Sequence, residues 1–353
     1  MNRRSFLAAS GAILGTSLLS GRPASAQAAS VTGAGSALPR AVFQKWSEMA
    51  GANGIKLTYE LSGAGAALER MKGRDIDFAS VDYARRVAYL RDRHLIQFPT
   101  VLTGVVPFVN LPGVADNQLR LTGEILADIF LGKITKWNDA KIKAVNGAVN
   151  LPGTDIVPVH RNDPSGATVL FTTYLTRVSE AWAAGPRAGT TVKWPDNVGA
   201  VADGLEGLAA KVKGTPGAIS FAGVTTVKSV GMSAVMLKNR AGEFVKGDAA
   251  SFAKAAEAAD WDAAAFNIDI VDHDAPGDWP IVGFNYVLVP DDPAANKVEA
   301  ARNTFKFFDW AFKNGAAAAA ELGYPTVPAA ARPKIMEVWR RAKDPSGRPI
   351  WEA

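Results

Sequence analysis

Short apolar runs alternate along the chain with segments in which apolar residues recur every three or four positions. Residues 30–50 predict a strand end, a glycine turn and a helix, and residues 55–71 repeat that order. Residues 76–82 predict a third strand, which ends near Asp82. Strands that alternate with helices in this way indicate an α/β protein with a parallel or mixed sheet.

Two longer β-rich runs, residues 98–113 and 279–290, enclose a central block. The pattern in that block predicts a helix after Thr122 and a strand over residues 155–160, and an amphipathic helix is predicted over residues 303–324. Two lobes joined by two crossing strands, with a ligand cleft between them, would fit this order. A single large α/β domain fits the periodicity equally well.

Three glycine-rich turns each lead into a predicted helix, and they begin at Gly33, Ser62 and Ser165. The first N–H groups of a helix have no partner within it and carry partial positive charge, and small residues let an anion approach them. Arg161 lies four residues before Ser165, and a guanidinium can bind two oxygens of one oxyanion. We expect an anion site here, with Asp163 holding Arg161 in position.

Asp82 has two interpretations. It fits the N-cap of a helix, since an aspartate side chain accepts hydrogen bonds from the first backbone N–H groups. It also fits a selectivity role, because a carboxylate accepts a hydrogen bond from an anion that still carries a proton and repels one that does not. Hydrogen phosphate has such a proton, whereas sulfate at neutral pH has none.

Residue types that enzymes need are scarce in the chain. There is no cysteine, and the three histidines lie far apart in the sequence without a zinc-binding spacing. No G-x-S-x-G nucleophile motif and no complete G-x-G-x-x-G dinucleotide motif occurs. We therefore expect a binding protein with no cofactor and no metal, and we keep a secreted phosphoryl-transfer or hydrolytic enzyme as the less favoured alternative.

Residues 1–26 predict a cleaved export signal. Arg3 and Arg4 precede an apolar stretch that is shorter than the ~20 residues of a spanning helix, and Ala24-Ser25-Ala26 fits a cleavage site. The twin arginine indicates the Tat route and a periplasmic location. This segment holds three of the 39 basic residues and none of the 34 acidic ones, which leaves the remaining chain at a net charge of +2. That charge gives no support for nucleic-acid binding.

Several longer motifs resemble one known family in their order along nearly the whole chain after the signal. They read TGAGSALPRAVFQKW, QFPTVLTGVVPFVNLPG, LADIFLGKITKWND and KFFDWAFKNG. The chain is similar in these motifs to the periplasmic phosphate-binding proteins of bacterial phosphate ABC importers. The resemblance implies a two-lobed solute-binding fold of type II with two crossing hinge strands. It further implies one lobe from residues 27–105 plus 285–353, and a second lobe from residues 106–284.

The resemblance also implies a ligand set. The family's arginine falls on Arg161, its neighbouring acid on Asp163, its serine-glycine pair on Ser165 and Gly166, and its proton-accepting aspartate on Asp82. Ser36 and Leu38 lie in the first glycine turn and complete the expected binding residues. The implied partners are phosphate or a related protonated oxyanion and the membrane permease of an ABC importer, for a chain that acts as a monomer.

Three positions depart from the family pattern, because its hydroxyl side chains fall on Ala37, Ala64 and Ala167. A hydrogen bond to a charged group contributes about 1.5–3 kcal/mol, so the loss of three would weaken phosphate binding strongly. The backbone amides at these alanines remain as donors. The same methyl groups also make room for a larger organic ligand or a phosphate ester, which is the alternative that keeps the fold.

Overall fold

The computed structural model describes residues 29–257 and 259–352, so the predicted export signal lies outside the described residues. The strands are β1 (Ala29–Gly35), β2 (Ile55–Leu61), β3 (Phe78–Val81), β4 (Leu95–Val109), β5 (Arg120–Leu121), β6 (Val157–Arg161), β7 (Ala200–Ala202), β8 (Ala218–Gly223), β9 (Ser233–Ala234), β10 (Met236–Lys238), β11 (Phe244–Val245) and β12 (Val282–Pro290). The helices are α1 (Arg40–Gly51), α2 (Gly63–Lys72), α3 (Val87–Arg91), α4 (Gly123–Phe130), α5 (Ala140–Ala144), α6 (Gly166–Val178), α7 (Glu180–Ala184), α8 (Gly204–Lys213), α9 (Val224–Val230), α10 (Ala249–Glu257), α11 (Val298–Asn314), α12 (Ala316–Glu321) and α13 (Arg332–Trp339).

One mixed sheet runs through the molecule in the order β2-β1-β3-β12-β4-β8-β6-β7, and β9 pairs with β4. Strand β1 is parallel to β2 and β3, and β6 is parallel to β7 and β8. Strands β4 and β12 are antiparallel to each other at the centre. Strands β5, β10 and β11 form a second, small sheet. The prediction of an α/β protein with a mixed sheet is therefore confirmed.

Strand β4 connects the two halves of the large sheet. Its first part pairs with β12, from Leu95 opposite Pro290 to Gly104 opposite Val282. Its second part, from Val105 to Val109, pairs with β8. All fifteen residues of β4 are buried, which explains why the sequence shows an almost uninterrupted apolar run here.

Each half of the sheet is covered by its own aromatic cluster. On one side Phe308 of α11 packs edge-to-face on Phe43 and Phe78, with ring centroids 5.7 and 5.3 Å apart. On the other side Phe171 of α6 stacks on Phe221 of β8 at 3.8 Å. The packing of helices on both halves fixes where the helix N-termini lie at the edge of the sheet.

Most predicted elements occur in the structure with small shifts of their ends. Thr122 caps α4, since its Oγ1 accepts a hydrogen bond from the Ile125 N–H at 3.3 Å. The helix predicted over residues 303–324 instead begins at Val298 and is split into α11 and α12 at Gly315. Gly315 breaks the helix where its carbonyl accepts a hydrogen bond from the Trp46 indole at 2.9 Å. Within the described part of the chain, every helix is too short or too polar to cross a membrane.

Candidate functional site

A cleft of about 570 Å³ lies where the N-terminal ends of helices α1, α2, α6 and α8 come together. One half of the sheet contributes residues 35–38, Arg40 and residues 61–66 to its walls. The other half contributes Arg161 and residues 163–167, 204–206, 223 and 225–226. Helix N-termini that point at one space give it a positive potential and unpaired N–H donors.

Arg161 is the last residue of β6, and the strand directs it into the cleft. Its Nε donates to Asp163 Oδ1 at 2.9 Å, and its Nη2 donates to Asp163 Oδ2. Asp163 Oδ1 also accepts the Gly204 N–H at 3.1 Å, at the start of α8. The hydrogen bond from Arg161 lowers the pKa of Asp163 below its ordinary value. The guanidinium is thus held on one edge by a charged carboxylate.

Ser165 caps helix α6 and lies beside the guanidinium. Its Oγ accepts the Thr168 N–H at 3.4 Å, and Arg161 Nη1 lies 3.5 Å from the same oxygen. The backbone N–H groups of Gly166 and Ala167 begin the helix and have no acceptor within it. The Arg161 side chain and the start of α6 therefore offer donors to one small volume.

Asp82 lies directly after β3 and is only 1% exposed. Its Oδ2 accepts the Ser36 hydroxyl, and its Oδ1 accepts Asn285 Nδ2 at 3.0 Å. Burial raises the pKa of Asp82 to about 6, and the hydrogen bonds from Ser36 and Asn285 oppose that rise. Asp82 does not line the cleft itself, whereas Ser36 does.

Ser36 stands between Asp82 and the cleft. Its hydroxyl proton is donated to Asp82, while its Oγ accepts the Leu38 N–H at 3.1 Å. A serine hydroxyl has one proton and two lone pairs. With its proton committed to Asp82, Ser36 can offer only an acceptor to a ligand in the cleft.

Gly166 joins the two sides of the site, because it packs directly against Asp82. A Cβ added at Gly166 would overlap Asp82 Oδ2. Position 166 therefore requires glycine because any side chain would displace the Asp82 carboxylate. The backbone conformation there does not itself require glycine. The structure thus brings Asp82, Ser36, Arg161 and the start of α6 to one place.

The three alanines of the expected binding set lie at the helix starts around the cleft. The neighbouring hydroxyls do not replace the missing ones. Ser36 is bonded to Asp82, and Ser62 Oγ lies 3.4 Å from the carbonyl of Gly63. Thr168 Oγ1 is buried without a hydrogen-bond partner and is not among the residues that line the cleft. At these three positions the cleft therefore presents methyl groups where the family pattern implies hydroxyl donors.

Thr225 and Thr226 also line the cleft, and neither was predicted from the sequence. They follow Gly223 at the end of β8, so the strand, glycine and helix order that marks the other turns was available as a signal. Tyr324 links them to the first glycine turn. Its hydroxyl donates to the Leu38 carbonyl at 2.7 Å and lies 3.0 Å from Thr225 Oγ1.

The histidines are placed outside the cleft. His160 stacks on Trp194 with ring centroids 4.3 Å apart, and burial lowers the pKa of its imidazole. His94 lies near Asp291 and Asp292 on the surface, where Arg74 already pairs with Asp292 at 2.9 Å. The position of His160 is typical of side-chain packing, and that of His94 is typical of surface ion pairing.

The comparisons with known proteins agree with this geometry. The sequence model of the PBP superfamily domain matches residues 20–314. The phosphate-binding protein PstS of Pasteurella multocida (strain Pm70) is 37% identical over 329 residues, covering 92% of this chain and 94% of the relative. The phosphate-binding protein PstS of Xylella fastidiosa (strain Temecula1) is 40% identical over 314 residues, covering 88% of this chain and 84% of the relative.

Among solved structures, the high-affinity periplasmic phosphate-binding protein PfluDING, bound with phosphate, matches with a TM-score of 0.69 at 20% identity. The match covers 87% of this chain and 93% of PfluDING. This likeness confirms the predicted two-lobed α/β solute-binding fold. With a helix-lined cleft, a matching superfamily domain and curated relatives along most of its length, the chain belongs to the PBP superfamily, in the family of the phosphate-binding proteins PstS.

Proposed function

We propose that the protein is an exported, periplasmic solute-binding protein that captures phosphate for an ABC importer. The observation that carries this proposal is the meeting of Arg161, the open start of α6 and the Ser36–Asp82 pair around one cleft. Arg161 and the helix N-termini supply the positive potential, and Asp163 keeps the guanidinium oriented. Ser165, Gly166 and the amides at Ala37, Ala64 and Ala167 donate to the remaining oxygens.

Ser36 and Asp82 together provide selectivity in this proposal. Asp82 fixes the Ser36 proton, so Ser36 presents a lone pair to the bound anion. A ligand oxygen that carries a proton donates to that lone pair, whereas a bare oxyanion meets an acceptor and is repelled. Asp82 therefore acts as the final proton acceptor of the chain ligand–Ser36–Asp82. Hydrogen phosphate satisfies the chain and sulfate does not.

The two lobes of the proposal are residues 27–105 plus 285–353 and residues 106–284. The segment around residues 262–268 belongs to the second lobe by sequence and contacts the first. Gln97 Nε2 donates to the Ala265 carbonyl at 2.7 Å, and Lys334 Nζ pairs with Asp262 at 2.5 Å. We expect closure to occur around β4, with this segment remaining on the first lobe.

The proposal also covers partners and chemistry. The protein acts as a monomer that delivers its ligand to a membrane permease, and it is a binding protein without enzymatic activity. Light scattering with and without phosphate tests whether the protein is a monomer. Turnover of a chromogenic phosphate ester in the presence of divalent metal would contradict the expected lack of enzymatic activity.

Calorimetry with phosphate and sulfate at pH 7.5 tests the function itself. We expect phosphate to bind at least 100-fold more tightly than sulfate. Truncating one partner of a buried, hydrogen-bonded charge pair costs 2–5 kcal/mol or more, so Arg161→Ala should weaken phosphate binding by about 100-fold or more. Arg91→Ala, which removes a 76% exposed arginine side chain outside the cleft, is the control. Absence of phosphate binding in the unaltered protein would refute the proposal.

A further inference from the structure

Four charged side chains of the described residues line the cleft, and two of them have no partner. Arg161 and Asp163 pair with each other. Arg40 lies on the wall from the first half of the sheet, and Glu206 lies on the wall from the other half. Neither Arg40 nor Glu206 forms a side-chain hydrogen bond or an ion pair within the part of the chain that the structure describes. An unpaired cation and an unpaired carboxylate therefore stand on opposite walls of the cleft.

The position of Arg40 is unfavourable for a cation within its own helix. Arg40 is the first residue of α1, and the first turn of α1 contains no acidic residue. The positive end of the helix dipole disfavours a positively charged side chain there. The helix itself therefore does not stabilise the charge of Arg40, whose exposed side chain faces partners in the cleft or across it.

Glu206 has a favourable place in its helix but an unfavourable one in the cleft. It lies in the first turn of α8, where the helix dipole favours an acidic residue. Its carboxylate also lines a cleft that is proposed to hold an anion, and two like charges repel each other. A cation paired with Glu206 would remove that repulsion when the ligand is bound. Arg40 carries the required charge on the opposite wall.

The two walls already touch beside the cleft. Gly166 packs on Asp82, and the Tyr324 hydroxyl lies 3.0 Å from Thr225 Oγ1. The same hydroxyl donates to the Leu38 carbonyl at 2.7 Å, just before α1. These contacts hold the wall that leads into α1 against the other half of the sheet, so further narrowing of the cleft brings its exposed rim residues together.

We infer that Arg40 and Glu206 form an ion pair across the rim when the cleft closes over a bound anion. This inference rests on the proposed function, because the bound anion neutralises Arg161 and the helix N-termini and so allows the walls to approach. Arginine suits this role, since its planar guanidinium can bind both oxygens of a carboxylate. Arg40 and Glu206 are positioning residues, which hold the walls together without contacting the ligand. Their loss therefore speeds the release of phosphate.

Rapid-filtration kinetics with radiolabelled inorganic phosphate test the inference on the unaltered protein, Arg40→Ala and Glu206→Gln. We expect both substitutions to raise the dissociation rate about threefold to fivefold, as for the loss of a favourable exposed ion pair. The association rate should fall in Arg40→Ala and rise in Glu206→Gln, because the charge at the rim changes in opposite directions. If Arg40 acted only by attracting the anion, Glu206→Gln would slow dissociation. Dissociation from Glu206→Gln that is unchanged or slower would overturn the inference.

Two variants outside the cleft are the matched controls. Arg86→Ala and Glu48→Gln each remove the charge of an exposed side chain that does not line the cleft. Neither should change the dissociation rate of phosphate. Faster dissociation in the controls, equal to that in Arg40→Ala and Glu206→Gln, would overturn the assignment to these two residues.

The charge-reversed pair separates an ion pair from a merely structural role. Arg40→Glu and Glu206→Arg alone should each speed dissociation, whereas the double variant should return the rate close to that of the unaltered protein. A double variant that releases phosphate as fast as the single variants would overturn the inference and leave the proposed function intact. Absence of phosphate binding in the unaltered protein would overturn both.

Discussion

Two aspartates lie at the same site, Asp163 in the wall of the cleft and Asp82 behind Ser36. Their environments shift their pKa values in opposite directions. Asp163 accepts two hydrogen bonds from the Arg161 guanidinium, which lowers the pKa of the carboxyl. Asp82 is buried beside neutral hydrogen-bond donors, and burial raises its pKa to about 6. In the proposed site, identical side chains would thus serve as a fixed charge and as a proton acceptor.

The comparison teaches that the neighbours of each carboxylate decide its role. Asp163 lies in the loop after β6, where a cation is two residues away in the chain. Asp82 relies on Ser36 and Asn285, which are 46 and 203 residues away. Arg161, the local partner of Asp163, could be recognised in the sequence. Ser36 and Asn285 could be identified as partners of Asp82 only from the folded structure.

Gly166→Ala breaks the contact between the two sides and has the largest expected effect. The added methyl overlaps Asp82, so we expect a loss of about 3 kcal/mol in the free energy of unfolding, together with loss of phosphate binding. Gly207→Ala in helix α8, outside the cleft, is the matched control, since a Cβ there meets nothing within 4 Å. Urea denaturation measures both variants, and equal stability of the two would contradict the account.

Asp82→Asn removes the buried charge and should stabilise the protein above pH 6 by about 3 kcal/mol. Because the folded-state pKa of about 6 lies above the ordinary value, the native state keeps a proton between about pH 4 and pH 6 that the unfolded state has released. Stability therefore falls as pH rises through that window and stays lower above it. Thermal unfolding at pH 4 and pH 7.5 should show the gain only at the higher pH, and a gain of equal size at pH 4 would point to another cause.

Asp163→Asn leaves Arg161 without its charged partner, and we expect phosphate binding to weaken about tenfold. The folded-state pKa of Asp163 is depressed, so its contribution is complete above the ordinary aspartate value and is lost as pH falls through the depressed pKa. Calorimetry at pH 7.5 measures the change. Unchanged affinity would mean that the loop holds Arg161 without help from the carboxylate.

Ser36→Ala has the smallest expected effect on phosphate affinity but changes selectivity. Without the hydroxyl, the ligand proton loses the acceptor that faces the cleft, and the preference for phosphate over sulfate should fall several-fold. The fold should tolerate the change because Asn285 still donates to Asp82. An unchanged preference for phosphate over sulfate would contradict the order ligand–Ser36–Asp82.

Much of the fold and part of the site could be predicted from the sequence. The alternation of strands and helices and the helix start after Ser165 depend on local patterns, and both occur in the structure. The pairing of Asn285 with Asp82 and the link from Tyr324 to Thr225 join distant parts of the chain, so no local pattern could indicate them. The helix end at Gly315 was missed because the alanines that follow it favour helix, so the helical pattern continues through the glycine.

The pH dependence of anion choice tests the central claim most directly. The titratable groups around Asp82 are Tyr59, Tyr83 and Tyr324, whose pKa values burial raises above the ordinary value for tyrosine, so Asp82 alone among them changes charge near pH 6. Once protonated, Asp82 can donate to Ser36 and free the serine proton for a bare oxyanion.

The measurement is the affinity for sulfate between pH 5 and pH 8 in the unaltered protein and in Asp82→Asn, because sulfate keeps one charge state across this range whereas phosphate exchanges a proton near neutral pH. We predict weak sulfate binding at pH 7.5 that strengthens below pH 6 in the unaltered protein, and stronger sulfate binding without that change in Asp82→Asn. Sulfate affinity that stays constant across this range in the unaltered protein, or that is the same in both proteins, would contradict the account.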